Sequence, residues 1–105
     1  MPFGLKMIED FTQHLGVLTV SLHIPHAQSL KDKRMVLRSL RDRVRNKFNV
    51  SVSELEGQDK WQRATFGFAM INNDSRHVES SLQNLLSFLE SFGGFDVCEH
   101  KIEFY

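Results

Sequence analysis

The stretch GVLTVSLHIP, residues 16–25, decides the architecture. Leu18, Val20, Leu22 and Ile24 alternate with Val17, Thr19, Ser21 and His23, and a period of two in a run rich in β-branched residues marks a strand buried through one face. Pro25 ends it, because proline has no N–H to give to a sheet. Shortly after, Ser29-Leu30-Lys31-Asp32 has the form of a capping box, in which the serine hydroxyl accepts from a free amide of the first turn and the aspartate reaches back. A helix is expected over residues 30–48. At about 100° per residue, Leu30, Val36, Leu37, Leu40, Val44 and Phe48 share an arc of roughly 120°, the face that packs on a sheet.

Downstream the alternation returns three times. Residues 50–56, with Val50 and Val52 between serines, read as a second strand, and Gly57-Gln58-Asp59-Lys60 as a polar turn. Residues 63–72 form the third, with Ala64, Phe66, Phe68 and Met70 on one face and Arg63, Thr65, Gly67, Ala69 and Ile71 on the other. Asn72-Asn73-Asp74-Ser75 supplies a turn and a cap for a second helix, whose apolar face is Val78, Leu82, Leu85, Leu86, Leu89 and Phe92, and Gly93-Gly94 stops it. Residues 97–104 alternate again. The order βαββαβ, with two right-handed crossovers, gives an α+β ferredoxin-like sandwich: a four-stranded antiparallel sheet with both helices on one face. The first and third strands are then central neighbours. The end of strand one, the start of the first helix and the start of strand three meet at one end of the sheet.

With 105 residues, 41% hydrophobic and 25% charged, the chain has material for one core and not two. Residues 1–15 carry Glu9 and Asp10 and no long apolar run, unlike a secretory signal, and no stretch is long enough to span a bilayer. Cys98 is the only cysteine, so no internal disulfide forms. That fits a reducing compartment, and the cytoplasm is the expected location. The zero net charge conceals a polarity. Residues 16–49 hold eight bases against two acids, net +6, while residues 50–105 hold four bases against nine acids, net −5.

Five segments, Gly16-Val17-Leu18, Leu22-His23-Ile24-Pro25, Ser29-Leu30-Lys31-Asp32-Lys33-Arg34, Phe48-Asn49-Val50-Ser51-Val52 and Asp59-Lys60-Trp61-Gln62-Arg63-Ala64, stand in register. Together they resemble the signature of the bacterial YlxP-like family, also called domain of unknown function 503. The likeness covers residues 16–105 as a single domain and leaves residues 1–15 as an N-terminal extension. The resemblance implies a ferredoxin-like fold and, because members are often encoded beside translation and ribosome-assembly genes, a link to RNA. It implies no established catalytic residue.

The most distinctive physical feature is a basic ridge on the first helix. Arg34, Arg38, Arg41 and Arg45 are spaced by four, three and four, within an arc of about 60°, with Lys31 beside them. Arginine holds phosphate or carboxylate with two bonds, so an anionic partner such as structured RNA or a ribosomal particle is one reading, with Lys33 added to the set. The other readings are a solvated helix face, with Asp42 pairing to Arg38 or Arg45, or a contact with acidic groups of another subunit.

A second cluster lies at the sheet end. His23, Asp59, Trp61 and Arg63, with Lys31, Lys33 and the first amides of the helix, have the makings of a phosphate-sized site. The structural reading competes with it: Trp61 closes the core, Asp59 bonds the turn backbone, and His23 and Arg63 face each other on the open sheet. His23 and His26 lack a third ligand, so no metal is expected, and nothing calls for a cofactor. His100 and Cys98 are two apart on one strand and read as chance neighbours. No nucleophile, base and orienting acid occur together, so an enzyme is not expected; a site at His23, Trp61 and Arg63 is the fallback. The open face would present Val17, Thr19, Ser21, Thr65, Gly67, Ala69 and Ile71, small groups with no aromatic among them. That argues against base stacking on the sheet and favours a homo-oligomer, a dimer packed sheet against sheet.

Overall fold

In a computed structural model, which describes residues 11–58 and 60–105, the opening alternation becomes β1 (His14–His23). It starts earlier than the pattern in residues 16–25 implied. His14 and Leu15, placed by the sequence in an extension over residues 1–15, already pair with Asn72 and Ile71. Residues 1–10 of that extension lie outside the described residues, as does Asp59. There follow α1 (Leu30–Lys47), β2 (Ser51–Glu56), β3 (Arg63–Asn72), α2 (Ser75–Glu90) and β4 (Asp96–Phe104).

The strands form one antiparallel sheet in the order β2-β3-β1-β4, the ferredoxin-like arrangement. The parity read from the sequence holds. Leu18, Val20, Leu22, Ala64, Phe66, Phe68 and Met70 are buried beneath the helices, together with Leu37, Leu40 and Val44 of α1 and Val78, Leu82, Leu85 and Leu89 of α2. α2 crosses β1 closely over Gly16, where an added Cβ would stand 2.6 Å from Val78 and 2.7 Å from Leu82. Among the described residues no helix is long and apolar enough to cross a membrane.

Both helices start on side-chain caps. Ser29 Oγ accepts from Asp32 N at 3.1 Å, while the Asp32 carboxylate reaches one residue beyond the cap and accepts from Gln28 N at 3.0 Å. Asp74 accepts from Arg76 N and His77 N.

Two features of the open face differ from the sequence reading. Both edge strands carry a bulge, β2 between Glu54 and Glu56 and β4 opposite Ser21 and Leu22. Leu55 follows Ser51 and Ser53 onto the open face, where it lies over Gly67, and the bulge in β2 brings Glu56 to the same face opposite Thr65, so the face is not a flat surface of small groups. The bulge in β4 takes Cys98 out of pairing; its thiol lies 4.0 Å from the Asp96 carbonyl oxygen, and no thiol–imidazole pair with His100 forms.

Candidate functional site

The side chains of α1 sort into three by their angle about the helix axis. Lys31, Arg34, Arg38 and Arg45 are exposed, and none has an ion pair or hydrogen bond with another described residue. Asp42, spaced to pair with Arg38 or Arg45, makes no such pair. Arg41 stands nearest the buried arc and leans inward, its guanidinium 5.2 Å from the Phe66 ring centroid and 4.0 Å from Glu54 Oε1. The exposed cations thus form a line on the β2 side of α1. From Arg34 to Arg45 the helix rises about 16 Å.

Lys33 leaves this set. Its side chain is 3% exposed and runs beneath α1, where the ammonium donates to the carbonyl oxygens of Gly57 and Lys60, the latter at 2.7 Å, and meets Glu54 Oε2 at 3.0 Å. The last approach is a charge contact outside hydrogen-bond geometry, so Glu54 Oε2 has no hydrogen-bond donor among the described residues. Lys33 therefore cannot serve as a surface anion ligand: its protons tie the first turn of α1 to the turn between β2 and β3. The sequence holds a signal for this that spacing alone reveals. At about 100° per residue, Lys33 falls in the middle of the apolar arc, between Leu40 and Val44, where a lysine needs buried partners.

The opposite flank of α1 holds cations that the ridge argument passed over. Arg43 sits over the rings of Phe92 and Phe88, 4.4 and 5.5 Å from their centroids, and Lys47 lies 5.0 Å from that of Phe88. These two close the seam between the helices, their stems covering aromatic rings.

At the sheet end the expected meeting of β1, α1 and β3 occurs. Ile24 N donates to Gln62 O at 3.0 Å, and Gln62 Nε2 donates to Ala27 O at 2.9 Å. His23 pairs across the sheet with Arg63 and lies 3.8 Å from Asp96, so both face the open side. The Asp32 carboxylate stands in the first turn of α1 and accepts from Gln28 N, so it brings to the helix N-terminus the same sign of charge as an added phosphate. With Lys33 buried as well, the anion reading of this cluster loses its two main supports. Trp61 does not close the core: it is 52% exposed. Among the described residues no group of three His, Cys, Asp or Glu side chains could hold a metal ion.

On the open face the bulges align. Glu56, Thr65, Ser21 and Glu99 form one cross-strand row over β2, β3, β1 and β4. The row floors a half-open hollow of about 410 Å³ that Lys60, Arg63, Thr19 and Lys101 also line. Farther along the same face, Leu15 and Ile71 are exposed side by side, with Val17 and Ala69 next to them.

Residues 15–102 match the family model described as "Protein of unknown function (DUF503)". The chain is also similar to the uncharacterized protein YlxP of Bacillus subtilis (strain 168), with 50% identity over 78 residues that cover 74% of this chain and 85% of that one.

Proposed function

This chain belongs to the DUF503 family of unknown function, and from that premise we propose that it is a small, non-enzymatic accessory protein that grips the phosphate backbone of structured RNA, in a ribosomal particle, through the exposed cations of α1. One observation carries the reading. Lys31, Arg34, Arg38 and Arg45 stand in line with no ion pair to any described residue, although Asp42 is within helical reach of two of them. A line of free arginines is suited to a polyanion, because each guanidinium holds a phosphate by paired bonds and releases the counterions around it. The choice of RNA follows the link to translation implied by the family resemblance. Co-sedimentation of the protein with ribosomal particles at low and high salt tests it. Binding should be strong at low salt, weaken steeply as salt rises, and be lost in Arg34→Glu with Arg38→Glu; retention in that variant would remove the ridge from the reading.

A second reading rests on a different observation, the exposed leucines and isoleucine of the open face. Leu15, Leu55 and Ile71 stand among small residues on a sheet that also carries both signs of charge, a surface complementary to itself. Two copies packed through it would bury these apolar groups and bring Glu56 or Glu99 of one against Arg63 or Lys101 of the other. Light scattering reports the state, and Thr65→Arg or Ala69→Arg should leave monomers. A dimer that survives both substitutions does not use this face.

A further inference from the structure

Trp61 is the sole tryptophan of the chain, and its placement is unusual in two ways. Its indole is exposed, and its backbone is clamped on both sides. On one side the Lys60 carbonyl accepts from the buried Lys33 ammonium at 2.7 Å; on the other the Gln62 carbonyl accepts from Ile24 N at 3.0 Å, and the Gln62 amide donates to Ala27 O at 2.9 Å. A large aromatic left in water on a rigid support is preorganised for a partner, since little ordering remains to be done on binding. The clamp through Lys33 also sets its position. Lys33 belongs to the first turn of α1, where Lys31 and Arg34 begin the ridge, so the backbone beside Trp61 is held at the N-terminal end of α1.

The basic residues of this end of the fold favour one kind of occupant. Lys60 and Arg63, its neighbours in the chain, are exposed and have no ion pair with any described residue, and Lys31 and Arg34 are likewise free. An exposed aromatic with Lys60 and Arg63 beside it in the chain suits a flat ring attached to a phosphate chain. Every base has a π-face, and stacking on tryptophan is tolerant of sequence. We infer that Trp61 is a stacking platform for an unpaired base of the RNA whose backbone α1 holds, so that the protein selects a junction between a paired stem and a single strand. This inference rests on the reading given under Proposed function. It differs from stacking on the sheet, whose open face carries no aromatic on β1 or β3.

The test uses two RNA probes, a hairpin with a single-stranded adenosine tail and the same hairpin blunt-ended. Affinity is read by anisotropy of a label on the RNA, and the contact by the intrinsic fluorescence of Trp61. The tailed hairpin should bind about 5- to 150-fold more tightly than the blunt one, the span expected for one stacked base. Only the tailed hairpin should quench the fluorescence. Trp61→Ala should abolish the preference and leave blunt-hairpin binding unchanged, while Trp61→Phe retains part of it. Equal affinity for both hairpins, or equal quenching by both, overturns the stacking inference even where binding still depends on Arg34 and Arg38. Failure of either hairpin to bind removes the ridge reading, and the stacking platform falls with it.

Discussion

Replacing Lys33 with methionine tests the account of α1 most directly. Methionine keeps an unbranched apolar stem and removes only the ammonium, so the change isolates the polar contacts. Three groups lose their partner: the carbonyl oxygens of Gly57 and Lys60, and the carboxylate of Glu54, whose side chain is 13% exposed. Removing one member of a fully buried ion pair costs about 3–5 kcal/mol. Here Glu54 keeps Arg41 at 4.0 Å and some solvent, and the turn carbonyls can rotate to water, so the lower end applies, about 3 kcal/mol. For a domain of this size that lowers Tm by roughly 12–20 °C. Urea unfolding followed by far-UV circular dichroism measures the loss. A companion Glu54→Gln removes the orphaned charge, so the double variant should lose less than the two single losses combined, by about 1–2 kcal/mol. A loss below about 1 kcal/mol for Lys33→Met, or strict additivity with Glu54→Gln, would refute the view that this buried contact locks the helix to the β2–β3 turn.

Three further outcomes follow from the same geometry. If Lys31, Arg34, Arg38 and Arg45 each meet one phosphate, RNA affinity should fall about 50- to 150-fold between 50 and 200 mM salt, and the neutral pair Arg34→Gln with Arg38→Gln should flatten that slope by about half, both read from anisotropy titrations. Gly57 has φ +94° and no room for a Cβ, which would stand 2.9 Å from the Arg63 carbonyl oxygen. Gly57→Ala should therefore destabilise by about 1–2 kcal/mol in urea unfolding. Tyr105 donates its hydroxyl to Glu103 at 3.1 Å; that hydrogen bond favours the neutral phenol, and the carboxylate charge opposes the phenolate, so the tyrosine pKa is raised. Absorbance titration of the single tyrosine should show it returning toward its ordinary value in Glu103→Gln.

Much of this molecule is written locally. The period of two in residues 16–25 and 63–72, and the apolar arcs of the two helices, determine which side chains meet in the core, because each pattern depends only on near neighbours along the chain. The caps at Ser29 and Asp74 and the ridge from Arg34 to Arg45 are legible for the same reason. What the sequence did not reveal depends on pairs far apart in the chain. Spacing places Lys33 in the apolar arc of α1, but the partners that let it be buried there belong to the turn after β2, 24–27 residues away, which comes beneath α1 and takes its protons. Glu56 changes faces through a bulge that no alternation announces, because a bulge is set by how two strands align. Trp61, apolar and beside a strand, reads as core; the tertiary structure ties down the backbone on both sides of it and leaves the indole outside. Local periodicity determined the fold and the line of arginines, and only the docking of the β2–β3 turn under α1 decided what partners the buried Lys33 and which aromatic faces solvent.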